Sequence, residues 1–122
     1  MAAALERPLT AILTTPPTEL VHGVAVEMAL LRVFDDGPVT YELFRMRIPA
    51  GTAQRSPPHH AGVTEHATVF AGVLEAGAVD RPGRAGPGEY VEWAADRPHG
   101  YASVGDVDVL ASLLIRYPRP PS

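Results

Sequence analysis

The stretch His59-His60-Ala61-Gly62-Val63-Thr64-Glu65-His66-Ala67-Thr68-Val69-Phe70-Ala71-Gly72 decides the reading of this chain. Three imidazoles and a carboxylate (His59, His60, Glu65 and His66) stand at the head of a run rich in Val, Thr and Phe, residues that suit strands. Neutral imidazole with one carboxylate is a ligand set for a divalent transition metal at an open site. A fourth candidate, His99, follows a second turn, Asp96-Arg97-Pro98. The spacing predicts that His59 or His60 ends one strand and that Glu65 begins the strand pairing with it. His99 is then expected from a neighbouring strand, because alternate side chains point to one side of a sheet. His66 is out of phase with Glu65 on a strand and ranks behind the others as a ligand. An uncoordinated histidine, either the other of the adjacent pair or His66, is the candidate general base near neutral pH.

Working outward, Val24 to Phe34 (VAVEMALLRVF) is apolar almost throughout. The turn Asp35-Asp36-Gly37-Pro38 and a second run, Val39 to Ile48 (VTYELFRMRI), follow, so the pair reads as a hairpin. Phe44, Met46 and Ile48 share one face of it, and Arg45 and Arg47 the other. The two arginines are candidates for a bidentate carboxylate clamp, with a solvent-facing pair bound to neighbouring acids as the plainer reading. Glu65 to Glu75 reads as a strand pair with Gly72 as a turn or bulge inside it. Asp80 to Gly88 reads as a long turn, and Glu89–Trp93, His99–Val104 and Val107–Tyr117 as strands. Among the aromatic residues, Trp93 and Tyr101 are candidates to line a pocket for a small ligand. So many short strands, punctuated by 11 Gly and 13 Pro, predict an all-β sandwich or barrel. The domain is expected over 21–117, with an N-terminal arm over 1–20 that exchanges with a second subunit or stays loose, and a flexible tail over 118–122.

At 122 residues and 13.0 kDa the chain makes one domain. There is no Cys, which excludes disulfides, thiolate metal sites and cysteine nucleophiles. All basic residues are Arg, which excludes a Schiff-base lysine. A net charge of −4 argues against a nucleic-acid partner. No stretch approaches the apolar length of a membrane span, and no signal peptide is read, so the expectation is a cytoplasmic protein without a membrane partner. No Walker loop, dinucleotide fingerprint or nucleophile elbow is present.

These residues resemble the two motifs of the cupin superfamily, a small jelly-roll barrel. The first has the form G-x5-H-x-H-x3,4-E-x6-G, and Glu65 and Gly72 carry its last spacing. The second has the form G-x5-P-x-G-x2-H, and Gly88 and His99 stand at its two ends. Two departures bear on the ligands. The histidines of the first motif are adjacent here: counting one way, His60 is the second and Pro58 replaces the first; counting the other, His59 is the first and Ala61 replaces the second. Ala94 and Asp96 replace the Pro and Gly of the second motif. More narrowly, the chain is similar to the C-terminal cupin domains of XRE-type helix-turn-helix regulators.

The resemblance implies a jelly roll with a divalent metal, Fe(II), Mn, Ni or Zn, held by His59 or His60 with Glu65 and His99. It implies either an enzyme of the oxygenase, isomerase, epimerase or lyase kind acting on a small organic molecule, or a metal-free module that senses one. The first 40 residues show no helix-turn-helix pattern and the chain opens at Met1, which favours a protein working alone. A homodimer built through the N-terminal arm or the Val24–Val33 run is the expected assembly.

Overall fold

The computed structural model describes residues 21, 22 and 26–119. They form ten strands and no helix: β1 (Val21–His22), β2 (Glu27–Asp36), β3 (Val39–Ile48), β4 (Ala53–Ser56), β5 (Thr64–Ala71), β6 (Leu74–Ala78), β7 (Arg81–Ala85), β8 (Tyr90–Ala94), β9 (His99–Ser103) and β10 (Val109–Tyr117). Six lie in one sheet, in the order β1-β2-β3-β10-β5-β8, and four in a second, in the order β4-β9-β6-β7. All pairings are antiparallel. The chain passes repeatedly from one sheet to the other, and the two close over a common interior as a jelly roll.

Period-two alternation fills that interior. β3 sends in Glu42, Phe44, Met46 and Ile48, and β10 sends in Val109, Ala111, Leu113, Ile115 and Tyr117. Leu74 and Ala76 of β6 close the space from the smaller sheet. Phe44 and Leu113 face each other across the β3–β10 ladder, both fully buried. Phe44→Ala is therefore expected to cost about 3–5 kcal/mol, the usual cost of emptying a buried phenylalanine site. Urea titration would read this as a lower midpoint with an unchanged slope.

The β2–β3 hairpin turns at Gly37, as the sequence predicts. The chain also turns at Gly72, but β5 and β6 on either side of it lie in different sheets and do not pair with each other, which corrects the expected strand pair. Two further expectations are corrected. The segment Asp80–Gly88 is not one long turn: Arg81–Ala85 is strand β7, which pairs with β6 at the sheet edge. Its Pro82 is tolerated there because an edge strand has one side without ladder bonds. The polar segment before Ser56-Pro57 contains β4. This strand, which precedes His59, pairs with β9 and not with the Glu65 strand; β5 pairs with β10 and β8. The N-terminal arm over 1–20 lies outside the described residues.

Candidate metal centre

Glu65 and His99 come from opposite sheets. Glu65 is the second residue of β5 and His99 the first of β9, and both are fully buried. His59 comes from the loop between β4 and β5. The ligand candidates therefore meet across the barrel and do not line up on neighbouring strands of one sheet.

Backbone contacts hold the loop. His59 N–H donates to Ala95 O (2.9 Å), Ala95 N–H to Val63 O (2.8 Å) and Gly62 N–H to the Asp96 carboxylate (3.0 Å). That bond and Arg97 hold the Asp96 carboxyl below its ordinary range. On the other side the end of β10 acts as a stop. The Tyr117 ring meets His59 edge-on at 5.7 Å between centroids. His60 Nε2 lies 2.9 Å from Pro118 O, so it carries the proton and donates to that carbonyl. Gly62, at φ +89°, leaves room for the Pro118 ring, where a Cβ would come within 2.9 Å.

Loop and strands bring His59, Glu65 and His99 together, with one potential ligand atom from each lying within 4.8 Å of the others. His59 Nε2 is 3.2 Å, and His99 Nε2 3.4 Å, from the same oxygen, Glu65 Oε2. His99 Nδ1 is 2.8 Å from Arg97 O. A carbonyl only accepts, so Nδ1 bears the proton and neutral His99 presents a bare lone pair at Nε2. That Nε2 is buried without a hydrogen-bond partner. A lone pair facing a carboxylate is stable only with positive charge between or upon them, either a proton or a metal ion. A ligating histidine that donates its other N–H to a backbone carbonyl is a recurring metal-site arrangement. The donor set fits a borderline divalent cation such as Zn or Fe(II).

The charges reflect the same contacts. Burial alone pushes the Glu65 carboxyl up, but His59, His99 and the Tyr101 phenol overcome it and hold the carboxyl down at about 2. For His99, burial lowers the imidazole, and Glu65 together with Arg97 O outweighs it, so the net shift is upward. Tyr101, buried against the Glu65 carboxylate, is pushed well above the ordinary phenol range.

A cavity of about 200 Å³ opens beside the triad, with Met28, Gln54, Ser56, Pro58, Tyr101 and Ile115 in its walls. A larger depression, about 370 Å³, lies over the outer face of the smaller sheet around Arg55, Glu75 and Gly100. It is more open and holds none of the three candidate ligands, so the chemistry selects the smaller cavity.

The other sequence candidates are placed as follows. His66 points out of the barrel, its Nε2 2.9 Å from Thr64 Oγ1 and its Nδ1 2.6 Å from Tyr90 Oη. Arg45 and Arg47 lie on the outer face of the larger sheet. Arg45 is exposed, and Arg47 binds Asp108 (2.8 and 3.1 Å) and Glu27 (2.9 Å). Trp93 is buried behind Tyr101, edge to face at 5.9 Å. Tyr101 lines the cavity and donates its phenol hydrogen to Glu65 Oε1. Sequence reasoning passed over Glu42, buried in the barrel and bound by the Tyr117 hydroxyl at 2.7 Å. The signal was its phase: Glu42 shares parity with Phe44, Met46 and Ile48.

Among solved structures, the chain is similar to the Cupin_2 domain of an XRE family transcriptional regulator from Enterobacter cloacae. Identity is 32%, the match covers 78% of this chain and 99% of that one, and the TM-score is 0.68. An HTH_3 family transcriptional regulator from Vibrio cholerae is 23% identical at a TM-score of 0.73, with 84% of this chain matched to 57% of that one. The chain thus spans little over half of that regulator. KdgF from Halomonas sp. is 16% identical at a TM-score of 0.60, with 80% of this chain and 86% of that one covered. No family model matches the chain, and no curated protein does. Among the described residues, no helix is long and apolar enough to cross a membrane.

Proposed function

This chain belongs to the cupin superfamily, and from that premise we propose that its barrel holds one divalent cation on His59, Glu65 and His99 and acts on a small organic molecule in the adjoining cavity. One observation carries the reading: the buried His99 Nε2 has no hydrogen-bond partner and faces Glu65 Oε2, while Nδ1–H is committed to Arg97 O. When bound, such a cation supplies Lewis acidity or, if it is iron, a centre for oxygen chemistry. The protein's own residues orient the ligand atoms through the Ala95–Asp96 clamp. The walls of Met28, Pro58 and Ile115 offer an apolar seat, and Gln54, Ser56 and Tyr101 supply polar contacts. Elemental analysis tests this directly: about one equivalent of Fe, Mn, Ni or Zn per chain is expected, lost in His59→Ala and retained in His60→Ala. Metal-free protein after growth and dialysis with each of these metals would overturn it.

The second reading is a sensor module that binds a metabolite without turning it over. Its support is the 32% identity over 99% of the Cupin_2 domain of the Enterobacter cloacae regulator. Metabolite binding by metal-free protein, with no turnover, would decide for it.

A further inference from the structure

We infer that Tyr101 is a positioning residue that occupies one oxygen of Glu65, so that the carboxylate has a single oxygen to offer a cation. The inference rests on the metal reading above and deepens it. The two oxygens of Glu65 have different surroundings. Oε2 faces both imidazoles, at 3.2 Å from His59 Nε2 and 3.4 Å from His99 Nε2. Oε1 accepts the Tyr101 phenol. Glu65 has no exposed surface, so bulk water does not compete for either oxygen. The phenol is fixed as well: its ring is wedged edge-on between Trp93 at 5.9 Å and His99 at 5.8 Å. The Ser56 hydroxyl shares the cavity wall with the phenol and offsets part of its upward shift. Ser56 and His99 stand opposite each other in the β4–β9 ladder, which sets the serine beside the triad.

Without this bond a carboxylate can offer both oxygens to one cation. With it, the described residues offer three donor atoms: Nε2 of His59, Nε2 of His99 and Oε2 of Glu65. A cation satisfied by so few protein atoms would keep positions for an exogenous oxygen donor. Tyr101 thus acts through Glu65 to keep the centre open to a ligand.

The test is Tyr101→Phe, loaded with Co(II) as the only probe and compared with the loaded wild type. Circular dichroism checks the fold of both proteins. Release of Oε1 adds an oxygen to the cobalt, so the visible absorption of the variant is expected to fall about twofold or more, since coordination geometry governs such spectra. Ser56→Ala keeps the phenol but removes the hydroxyl beside it in the cavity wall, and a smaller change of the same sign is expected. It decides the matter if Tyr101→Phe does not fold. Superimposable spectra overturn this inference and leave the metal reading intact. Absence of cobalt uptake by the wild type overturns both.

Discussion

Glu65→Gln is expected to fold, to lose at least about 100-fold in divalent-metal affinity, and to flatten the pH dependence of stability of the metal-free protein. The amide keeps an acceptor for Tyr101 and can turn its NH2 toward the imidazoles, but it carries no charge. Substituting a mere outer-shell partner of a ligand typically costs 10- to 100-fold, so loss of a ligand costs more. The pH behaviour follows from two opposite shifts. Glu65 is held at about 2, below its ordinary 4.5, so its stabilisation is complete above about pH 4.5 and disappears as the pH falls toward 2. His99 is raised above its ordinary 6.5, so its contribution is complete below about pH 6.5 and disappears as the pH rises through the raised value. The contribution of the pair is therefore greatest between about pH 4.5 and 6.5 and falls on either side. Melting temperatures of metal-free wild type and variant, followed from the plateau at about pH 5 down toward pH 2 and up past about pH 6.5, test this. Equal slopes in the two proteins would remove the Glu65–His99 pair as the cause. A metal must displace the His99 proton, so the wild-type affinity for Zn is expected to climb with pH through the same region. Isothermal titration at three pH values would show it, and an affinity indifferent to pH would remove His99 from the ligand set.

Gly72→Ala is expected to destabilise the fold by about 2–6 kcal/mol, from a strained backbone and an enforced overlap that each cost about 1–3 kcal/mol. Gly72 sits at φ +79° in the β5–β6 turn, where a Cβ would lie 2.5 Å from Asp108 O and 2.9 Å from Val109 Cα. Both are backbone atoms at the entry to β10, so no side chain can swing away. Total stabilities of about 5–15 kcal/mol leave little margin for such a loss. Chemical denaturation of the purified variant would measure it. A change below about 1 kcal/mol would mean that the turn relaxes without strain.

Much of the fold was legible because it rests on alternation. Phe44, Met46 and Ile48 go inward and Arg45 and Arg47 outward for the same reason that any strand shows two faces. Strand β7 was hidden because Arg81-Pro82-Gly83 carries turn-forming residues, which an edge position accepts. Strand β4 was hidden because Ala-Gln-Arg-Ser has no apolar alternation, and its pairing with β9 supplies the order. Of the centre, Glu65 and His99 could be read from spacing. The choice between His59 and His60 could not, since a loop side chain takes its direction from distant atoms: here Ala95 O, which fixes the His59 backbone, and Pro118 O, which takes the His60 proton. Nor does the sequence say which acids Arg47 binds, because Asp108, its main partner, lies 61 residues away.

The edge strand β7 has a consequence for self-association. Exposed strand edges template the addition of further chains, and proline and positive charge are the usual protections. β7 carries Pro82 between Arg81 and Arg84, so it cannot offer an unbroken row of N–H donors, and approaching copies of this segment repel one another. On this side the smaller sheet is closed to the ladder-by-ladder growth that leads to fibrils.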